Sequence, residues 1–310
     1  METTTTIAWL LEGDPAIRWQ VQRDLLAAPE ADCEAQRQQV AVEGWGRALL
    51  ERQDPETGLW AGGLYGPKWT STHYTLQLLA QMGMPAGDAI DSGVRALLRG
   101  GVRADGGVNY SVRAKFSETC ESGMLLAIAS SFGVLSDPVE RIADYVLREQ
   151  MPDGGWNCAK VRGAHHASFH TTICVLEGLA AYWAMGGRRA DSAVAAALRG
   201  HEFLAAHRLY RSHTTGEVVS RSMTLASFPP WWHYDVLRGL DYLRSVDAPR
   251  DERFSDAIDL IRAKRRKDGT WTRQSRHSGQ EWFEMEPTGQ PSRWNTLRAL
   301  RVLRWWDDAS

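Results

Sequence analysis

Apolar residues recur with the 3.6-residue period of an α-helix along most of this 310-residue chain. The helical segments form two sets. One set keeps a polar face and is predicted over residues 33–52, 88–100, 138–150, 189–207 and 252–267. The other is richer in Ala, Leu and Gly, and it is predicted over residues 70–83, 118–133, 170–186, 230–245 and 292–306. Helices that are apolar nearly all round are buried, so the second set is predicted to form an inner ring and the first an outer ring.

A turn of one type separates the two helices of each pair, with an Asp or Thr, a Gly and then an apolar residue. The Asp side chain accepts hydrogen bonds from its own backbone, and the Gly takes a positive φ that other residues avoid. The five turns are Asp54 to Trp60, Asp105 to Val108, Asp153 to Trp156, Thr215 to Val218 and Asp268 to Trp271. Their spacing of about 50 residues predicts a repeat architecture.

One more helix is predicted at the N-terminus, where Asp14 suits the N-cap and Pro15 the first helical position. It has no outer partner before it in the predicted pattern, and we expect it beside the last repeat as a sixth inner helix. The fold class is therefore all-α, an α/α toroid of about five helical hairpins plus this helix, in a single domain over residues 1–310. An open superhelix of stacked helix pairs is the alternative.

Composition narrows the choice of partners and compartment. The formal net charge is −2, so no global field favours nucleic acid. No apolar run approaches the roughly 20 residues of a membrane span, and the N-terminus lacks the basic residues of a signal peptide. The four cysteines have no close pairing, which favours reduced thiols and a cytoplasmic location.

Metal-type residues stand at the starts of two neighbouring inner helices, namely Glu118, Cys120 and, fifty residues later, His170. A carboxylate, a thiol and an imidazole make a three-ligand zinc shell with an open position, provided that Glu118 lies in the turn before the helix. Cys158 is a further candidate ligand in a loop that also contains His165 and His166. The alternative is structural, with Cys120 as a small buried residue, Glu118 as a helix-dipole partner and His170 as a cap.

These features resemble the family of squalene cyclases and protein prenyltransferase β subunits over about residues 45–306. The Asp-Gly-Gly-Trp-type turns look like that family's repeats. Lys115-x-x-Glu118-x-Cys120 and Phe169-His170-Thr171 look similar to the motifs of the prenyltransferase β subunits. The resemblance implies that Glu118, Cys120 and His170 bind zinc and that Lys115 holds a diphosphate.

The same resemblance extends to a Tyr-Thr pair on the preceding inner helix. Tyr74 stands in this pair, and His73 before it is then an anion contact. Arg113 lies beside the position of an arginine in that family. The acidic Asp-x-Asp-Asp motif of squalene cyclases is absent, so proton-initiated polyene cyclisation is not expected. Prenyltransferase β subunits act with an α subunit, which leaves open a partner chain here.

A second group of candidate residues occurs in the last two repeats. Acid or base roles are assigned to His233 and Glu286. Aromatic and basic residues are predicted to form a wall for an apolar ligand with one polar group, namely Trp231, Trp232, Arg293 and Trp294. The alternative is that these tryptophans pack between helices.

The sequence favours a zinc-dependent enzyme that performs transfer or addition chemistry on a hydrophobic, isoprenoid-type small molecule in the central cavity. Two alternatives stay open. One is zinc-dependent hydrolysis, lyase or isomerase chemistry on a small molecule. The other is a toroid that binds a ligand without catalysis.

Overall fold

The computed structural model describes residues 2–308 of the chain, with the side chains of residues 2 and 3 left out. Its helices are α1 (Glu2–Leu11), α2 (Pro15–Asp24), α3 (Glu30–Gln38), α4 (Gly44–Leu50), α5 (Thr72–Met82), α6 (Asp88–Gly101), α7 (Thr119–Ser131), α8 (Asp137–Arg148), α9 (Phe169–Ala184), α10 (Ala190–Ala206), α11 (Val236–Ser245), α12 (Ser255–Ala263) and α13 (Arg293–Asp307). Strands β1 (Trp271–Thr272) and β2 (Pro291–Ser292) form one short antiparallel pair. The all-α toroid prediction is confirmed.

The inner ring consists of α2, α5, α7, α9, α11 and α13, and hydrogen bonds close it at α2. The indole Nε1 of Trp19 in α2 donates to the Met82 carbonyl oxygen at the end of α5, at 2.8 Å. On the other side of α2, the Arg301 guanidinium of α13 donates to Gln20 Oε1 and to Asp24 Oδ2, each at 2.9 Å. The N-terminal inner helix thus lies between the first and last repeats, as predicted, and the open superhelix is ruled out.

Four of the five repeated turns tie the outer helix before them to the inner helix that follows. In the third turn the Trp156 indole donates to the Val146 carbonyl oxygen of α8 at 2.7 Å. The backbone N–H of Trp156 donates to the Thr172 hydroxyl of α9 at 3.0 Å. Equivalent backbone-to-hydroxyl bonds are those of Trp60 with Thr72, Val108 with Ser122, and Trp271 with Thr296. The hydroxyl in the first turn of each of these inner helices therefore sets the depth of the preceding loop.

Replacing Thr172 with valine is expected to lower the free energy of unfolding by about 1–3 kcal/mol, because the buried N–H of Trp156 loses its acceptor while the side-chain volume stays the same. Urea unfolding measures this loss. Thr214→Val, in an exposed loop, is the matched control and should change stability by less than about 0.5 kcal/mol.

Helices α7 and α9 approach each other closely at two glycines. A Cβ atom on Gly123 would lie 2.7 Å from the Cys174 carbonyl oxygen, and one on Gly178 would lie 2.4 Å from the Gly123 carbonyl oxygen. Only glycine permits this contact. It brings the N-termini of α7 and α9 together, and the candidate metal residues lie there.

Three parts of the fold differ from the sequence prediction. Helix α1 precedes α2 and packs on it, although no helix was predicted over residues 2–11. Helix α11 begins at Val236, six residues after the predicted start, because residues 226–235 form an irregular loop. The first outer segment is divided into α3 and α4 by a short 3₁₀ turn. None of the helices within residues 2–308 combines the length and hydropathy needed to cross a membrane.

Candidate functional site

Three metal-type side chains converge at the N-terminus of α7. The ligand atoms of Glu118, Cys120 and Cys158 all lie within 4.8 Å of one another. Glu118 is the N-cap residue of α7 with extended backbone (φ −100°, ψ 119°), so its side chain does not follow the helical spacing to Cys120. Glu118 therefore lies before the regular helix, as it must if Glu118 and Cys120 are to bind one ion. Cys158 arrives from the 3₁₀ turn Cys158–Arg162, which follows the third repeat turn. We call these three residues the thiol–carboxylate group.

The sulfur of Cys158 is placed to carry negative charge. It accepts the backbone N–H of Cys120 at 3.1 Å and the Thr171 hydroxyl at 3.5 Å. A hydrogen bond from the Cys120 thiol lowers the pKa of Cys158, and the two other donors act in the same direction against burial. The pKa of Cys120 is raised by its hydrogen bond with Cys158 and by burial. Thiolates are the form of cysteine that binds metals and attacks electrophiles.

The structure does not bring His170 into the thiol–carboxylate group. Its Nδ1 lies 2.8 Å from the backbone nitrogen of Tyr234, whose N–H can only donate. The neutral ring therefore keeps its proton on Nε2, which leaves no free lone pair for a metal in this arrangement. The ring faces Trp232 and His233, with centroid distances of 5.4 and 5.9 Å. Cys158, a secondary candidate from the sequence, occupies the place predicted for this histidine.

Aromatic rings extend from the thiol–carboxylate group across the N-terminal end of the inner ring. Trp69 stacks on Trp231 with a centroid distance of 5.1 Å, and Tyr65 stacks on Tyr110 at 5.2 Å. Tyr74 contacts members of both pairs. The ammonium of Lys68 lies 5.4 Å from the Trp69 ring centroid and 5.3 Å from that of Trp232. The aromatic wall, as used below, comprises Tyr65, Trp69, Tyr74, Tyr110, Trp231 and Trp232.

Glu121 is a site residue that sequence reasoning missed. Only 9 % of it is exposed, and its Oε2 accepts the Tyr110 N–H at 3.3 Å. Burial raises its pKa to about 7. The sequence signal was its position in the first turn of an inner helix, next to Cys120.

Replacing Glu121 with glutamine is expected to change the pH dependence of stability in chelator-treated protein. The carboxyl has a folded-state pKa of about 7 against an ordinary value of 4.5, so the folded state binds the extra proton. The stability that this proton contributes is complete below about pH 4.5 and is lost as the pH rises through 7. Relative to the variant, the wild type should lose about 3 kcal/mol between those limits. A stability difference between the two proteins that stays constant from pH 4 to pH 8 would contradict this.

The predicted anion contacts lie in different surroundings. Lys115 and Arg113 are exposed in the loop before α7. His73 is fully buried with its Nδ1 2.9 Å from the Tyr110 hydroxyl, and burial lowers its pKa to about 3. It is therefore neutral near pH 7 and offers an anion an N–H but no charge. The guanidinium of Arg293 lies over the Trp9 ring at 4.4 Å and donates to the Trp9 carbonyl oxygen.

The two predicted acid–base residues are engaged in packing and capping. His233 lies between the rings of Trp232 and His277, at centroid distances of 3.6 and 3.7 Å. Burial and the neighbouring His277 lower its pKa to about 3. Glu286 accepts the Ser292 hydroxyl and the Arg293 N–H at the start of α13, so it caps that helix. Burial nevertheless raises the pKa of Glu286.

The loop of residues 226–235 crosses the ring beneath the aromatic wall. The Gln77 amide and the Arg238 guanidinium both donate to the Trp231 carbonyl oxygen at 3.0 Å, and Arg238 also donates to the His233 carbonyl oxygen at 2.6 Å. Phe228 of the loop stacks on Trp294 with a centroid distance of 4.0 Å. The loop therefore separates the aromatic wall from the opposite end of the ring.

A cavity of about 410 Å³ lies on the far side of this loop, among the inner helices. Its charged lining consists of Arg23, Glu177, Arg238, Asp241, Arg244, Arg298 and Arg301. The thiol–carboxylate group does not line it. Apolar residues line the cavity as well, among them Met124, Ile128, Phe228 and Trp294, so it combines apolar surface with more charge than the sequence suggested.

Comparison with known proteins identifies the fold. No protein-family model and no curated protein matches the sequence. A solved structure of a variant of the type II terpene cyclase MstE from Scytonema, without ligand, is 18% identical with a TM-score of 0.50, covering 98% of this chain and 96% of that chain. A second MstE structure, in complex with geranylgeranyl dihydroxybenzoate as substrate, is 17% identical with a TM-score of 0.49, covering 98% and 97%. A protein from Actinoplanes is 18% identical with a TM-score of 0.47, covering 94% and 90%. This chain therefore has a terpene cyclase-like fold of concentric helices.

Proposed function

We propose that this chain is a zinc-dependent enzyme that acts on a small molecule with an apolar, prenyl-type part. The observation that carries the proposal is the convergence of Glu118, Cys120 and Cys158 beside the aromatic wall. The fold likeness supports the substrate class, because one MstE structure holds a geranylgeranyl-bearing substrate. The four cysteines are free thiols, which supports a reducing compartment such as the cytoplasm.

The donor set suits zinc. Two sulfurs and one carboxylate are ligand types that zinc accepts, and three protein ligands leave one coordination position for substrate. The hydrogen bonds from Cys120 N–H and Thr171 to the Cys158 sulfur favour the deprotonated ligand. Arg162 lies 3.5 Å from Glu118 and balances its charge. Zinc, when bound, supplies a Lewis acid and stabilises a bound thiolate or hydroxide.

The protein's own residues then position the substrate. Trp232 and Tyr65 are partly exposed members of the aromatic wall, and their π-faces attract positive charge that develops on a prenyl carbon. Tyr74 and Trp231 are buried in the same wall and remain proposed substrate contacts. The proposed contacts to an anionic leaving group are Lys115 and Arg113, in the loop that leads to Glu118. His73, Arg293 and Trp294 remain proposed substrate contacts, and His233 and Glu286 remain proposed acid–base residues.

Ligand protection tests the substrate class. Purified zinc-loaded protein should gain thermal stability with a prenyl diphosphate and with a prenylated aromatic acid, but not with inorganic diphosphate alone. Trp231→Ala should reduce the gain, whereas Trp183→Ala, on the exposed side of α9, should leave it unchanged. Equal stabilisation by inorganic diphosphate would contradict an isoprenoid substrate.

Proton transfer from Glu121 is a second candidate function, in which the thiol–carboxylate group is structural. The observation that favours it is a nearly buried carboxyl facing the tyrosines of the aromatic wall. The fold likeness to a type II terpene cyclase supports cyclisation of an alkene as the reaction class. Loss of turnover in Glu121→Gln, with metal content unchanged and turnover retained in metal-free wild type, would favour this candidate over zinc chemistry.

A further inference from the structure

A pair of histidines lies outside the candidate site, at the C-terminal end of the outer helix α10. His207 follows the helix, and His213 is in the next turn of the chain. They border a cavity of about 450 Å³ that is also lined by His166 and Asp153. Neither the zinc proposal nor the proton-transfer proposal uses these residues.

The proton position on His207 follows from its hydrogen bond. Its Nδ1 lies 2.8 Å from the Phe203 carbonyl oxygen, which can only accept. Nδ1 therefore carries the proton, and the lone pair of the neutral ring is on Nε2. Metal-binding histidines in proteins are usually fixed in this way, by an N–H donated to a carbonyl or carboxylate. The rings of Phe203 and Phe169, at centroid distances of 4.4 and 5.4 Å, hold the imidazole in place.

His213 completes a two-nitrogen arrangement. Its Nδ1 lies 3.0 Å from the Nε2 of His207. Two nitrogens that bind one tetrahedral zinc ion at about 2.0–2.1 Å are about 3.3 Å apart, so a shift of a few tenths of an ångström admits the ion. In the metal-free state the Nδ1–H of His213 donates to His207. When an ion binds, the His213 ring carries its proton on Nε2 instead, by exchange through solvent, and this frees the Nδ1 lone pair.

Further ligands are available across the cavity. The exposed His166 side chain can turn toward an ion, and Asp153 is an exposed carboxylate at the edge of the same cavity. One carboxylate oxygen of Asp153 accepts the Ala167 N–H at 2.7 Å, which fixes the carboxylate at the cavity edge. Burial lowers the pKa of His207, and the nearby His213 and His166 lower it further, so this ligand is neutral near pH 7.

We propose that His207 Nε2 and His213 Nδ1 bind a divalent transition-metal ion, with His166 and Asp153 as further ligands. Imidazole donors suit zinc, nickel and copper rather than magnesium or calcium. The ion links the end of α10 to residues 153–169, the segment that carries Cys158 and leads into α9. Its effect is to hold this segment against the ring.

Zinc titration of metal-free protein by calorimetry tests the proposal. In a Cys120→Ser background, which removes a ligand of the other group, we expect about one equivalent of zinc to bind. His207→Gln and His213→Gln in this background should each weaken binding at least tenfold. The control His165→Gln, next to His166 but outside the cavity lining, should bind as the background does.

Thermal unfolding shows whether each variant is folded. Without metal, His207→Gln should unfold at the temperature of the background, and only the rise in that temperature on adding zinc should disappear. Binding that is unchanged in both variants, or lost equally in His165→Gln, would overturn the proposal. The thiol–carboxylate group is tested separately by its own variants, so failure of either metal site leaves the other standing.

Discussion

Replacing Cys158 with serine is expected to weaken zinc binding at the thiol–carboxylate group by at least about 100-fold and to abolish turnover with it. Two hydrogen bonds to the Cys158 sulfur stabilise negative charge on it, whereas a serine hydroxyl stays protonated near pH 7. Cobalt substitution gives a specific readout, because thiolate-to-cobalt charge-transfer absorption reports sulfur ligands alone. That absorption should fall sharply in the variant.

The matched control for this experiment is Cys33→Ser. Cys33 is in α3, which packs on α2, and its thiol is directed to the Ala28 carbonyl oxygen rather than to the thiol–carboxylate group. Its replacement should leave both zinc affinity and cobalt absorption unchanged. Equal cobalt–thiolate absorption in Cys158→Ser and wild type would exclude Cys158 as a ligand and favour His170 as the third ligand.

Replacing Asp241 with asparagine is expected to lower the free energy of unfolding by about 3–5 kcal/mol. Asp241 binds Arg301 through both carboxylate oxygens, and it lies 3.5 Å from Arg298 and 3.4 Å from Arg244. Arg298 and Arg301 are nearly buried, so a neutral partner leaves Asp24 to offset the charge of Arg301 and the more distant Asp235 to offset that of Arg298. The substitution weakens the contact of α11 with α13 and, through Arg301, the contact of α13 with α2.

The pH dependence of the Asp241 variant follows from the same contacts. Although burial raises the pKa of Asp241, the charge of Arg301 and its hydrogen bonds lower it to about 2. The stability that the carboxylate contributes is present above the ordinary aspartate pKa of 3.8 and is lost as the pH falls through 2. Wild type and variant should therefore converge in acid. Asp259, which pairs with Arg262 on the protein surface, is the control. Asp259→Asn should lower the free energy of unfolding by less than about 1 kcal/mol. A cost below about 1 kcal/mol at Asp241 would contradict the closing role of this cluster.

The ring could be predicted from the sequence because the same pattern of turn residues and apolar helix positions recurs along the chain. Trp60, Trp156 and Trp271 each follow a Gly-containing turn, and each indole binds a carbonyl oxygen of the preceding outer helix. The apolar character of segments such as α9 separated inner from outer helices. Helix α1 was not predicted, because its Thr-rich start has low helix propensity and because only one side of the helix packs on the ring.

The site could be predicted only in part, because its partners come from loops. Glu118 and Cys120 were found from their place at an inner-helix start. The choice between His170 and Cys158 depended on the path of residues 157–168, for which periodicity gives no information. Glu121 was missed because its burial depends on the tyrosines of other helices. The charged cavity was missed because Arg298 and Arg301 have the spacing of an exposed helix face, and only ring closure buries them.

X-ray absorption at the zinc edge reports which atoms of the thiol–carboxylate group bind the metal. The sample is His207→Gln protein loaded with one equivalent of zinc, so that the histidine pair does not contribute. We expect two sulfur ligands at about 2.3 Å with oxygen or nitrogen ligands at about 2.0 Å. A spectrum with nitrogen and oxygen ligands and no sulfur would contradict this expectation.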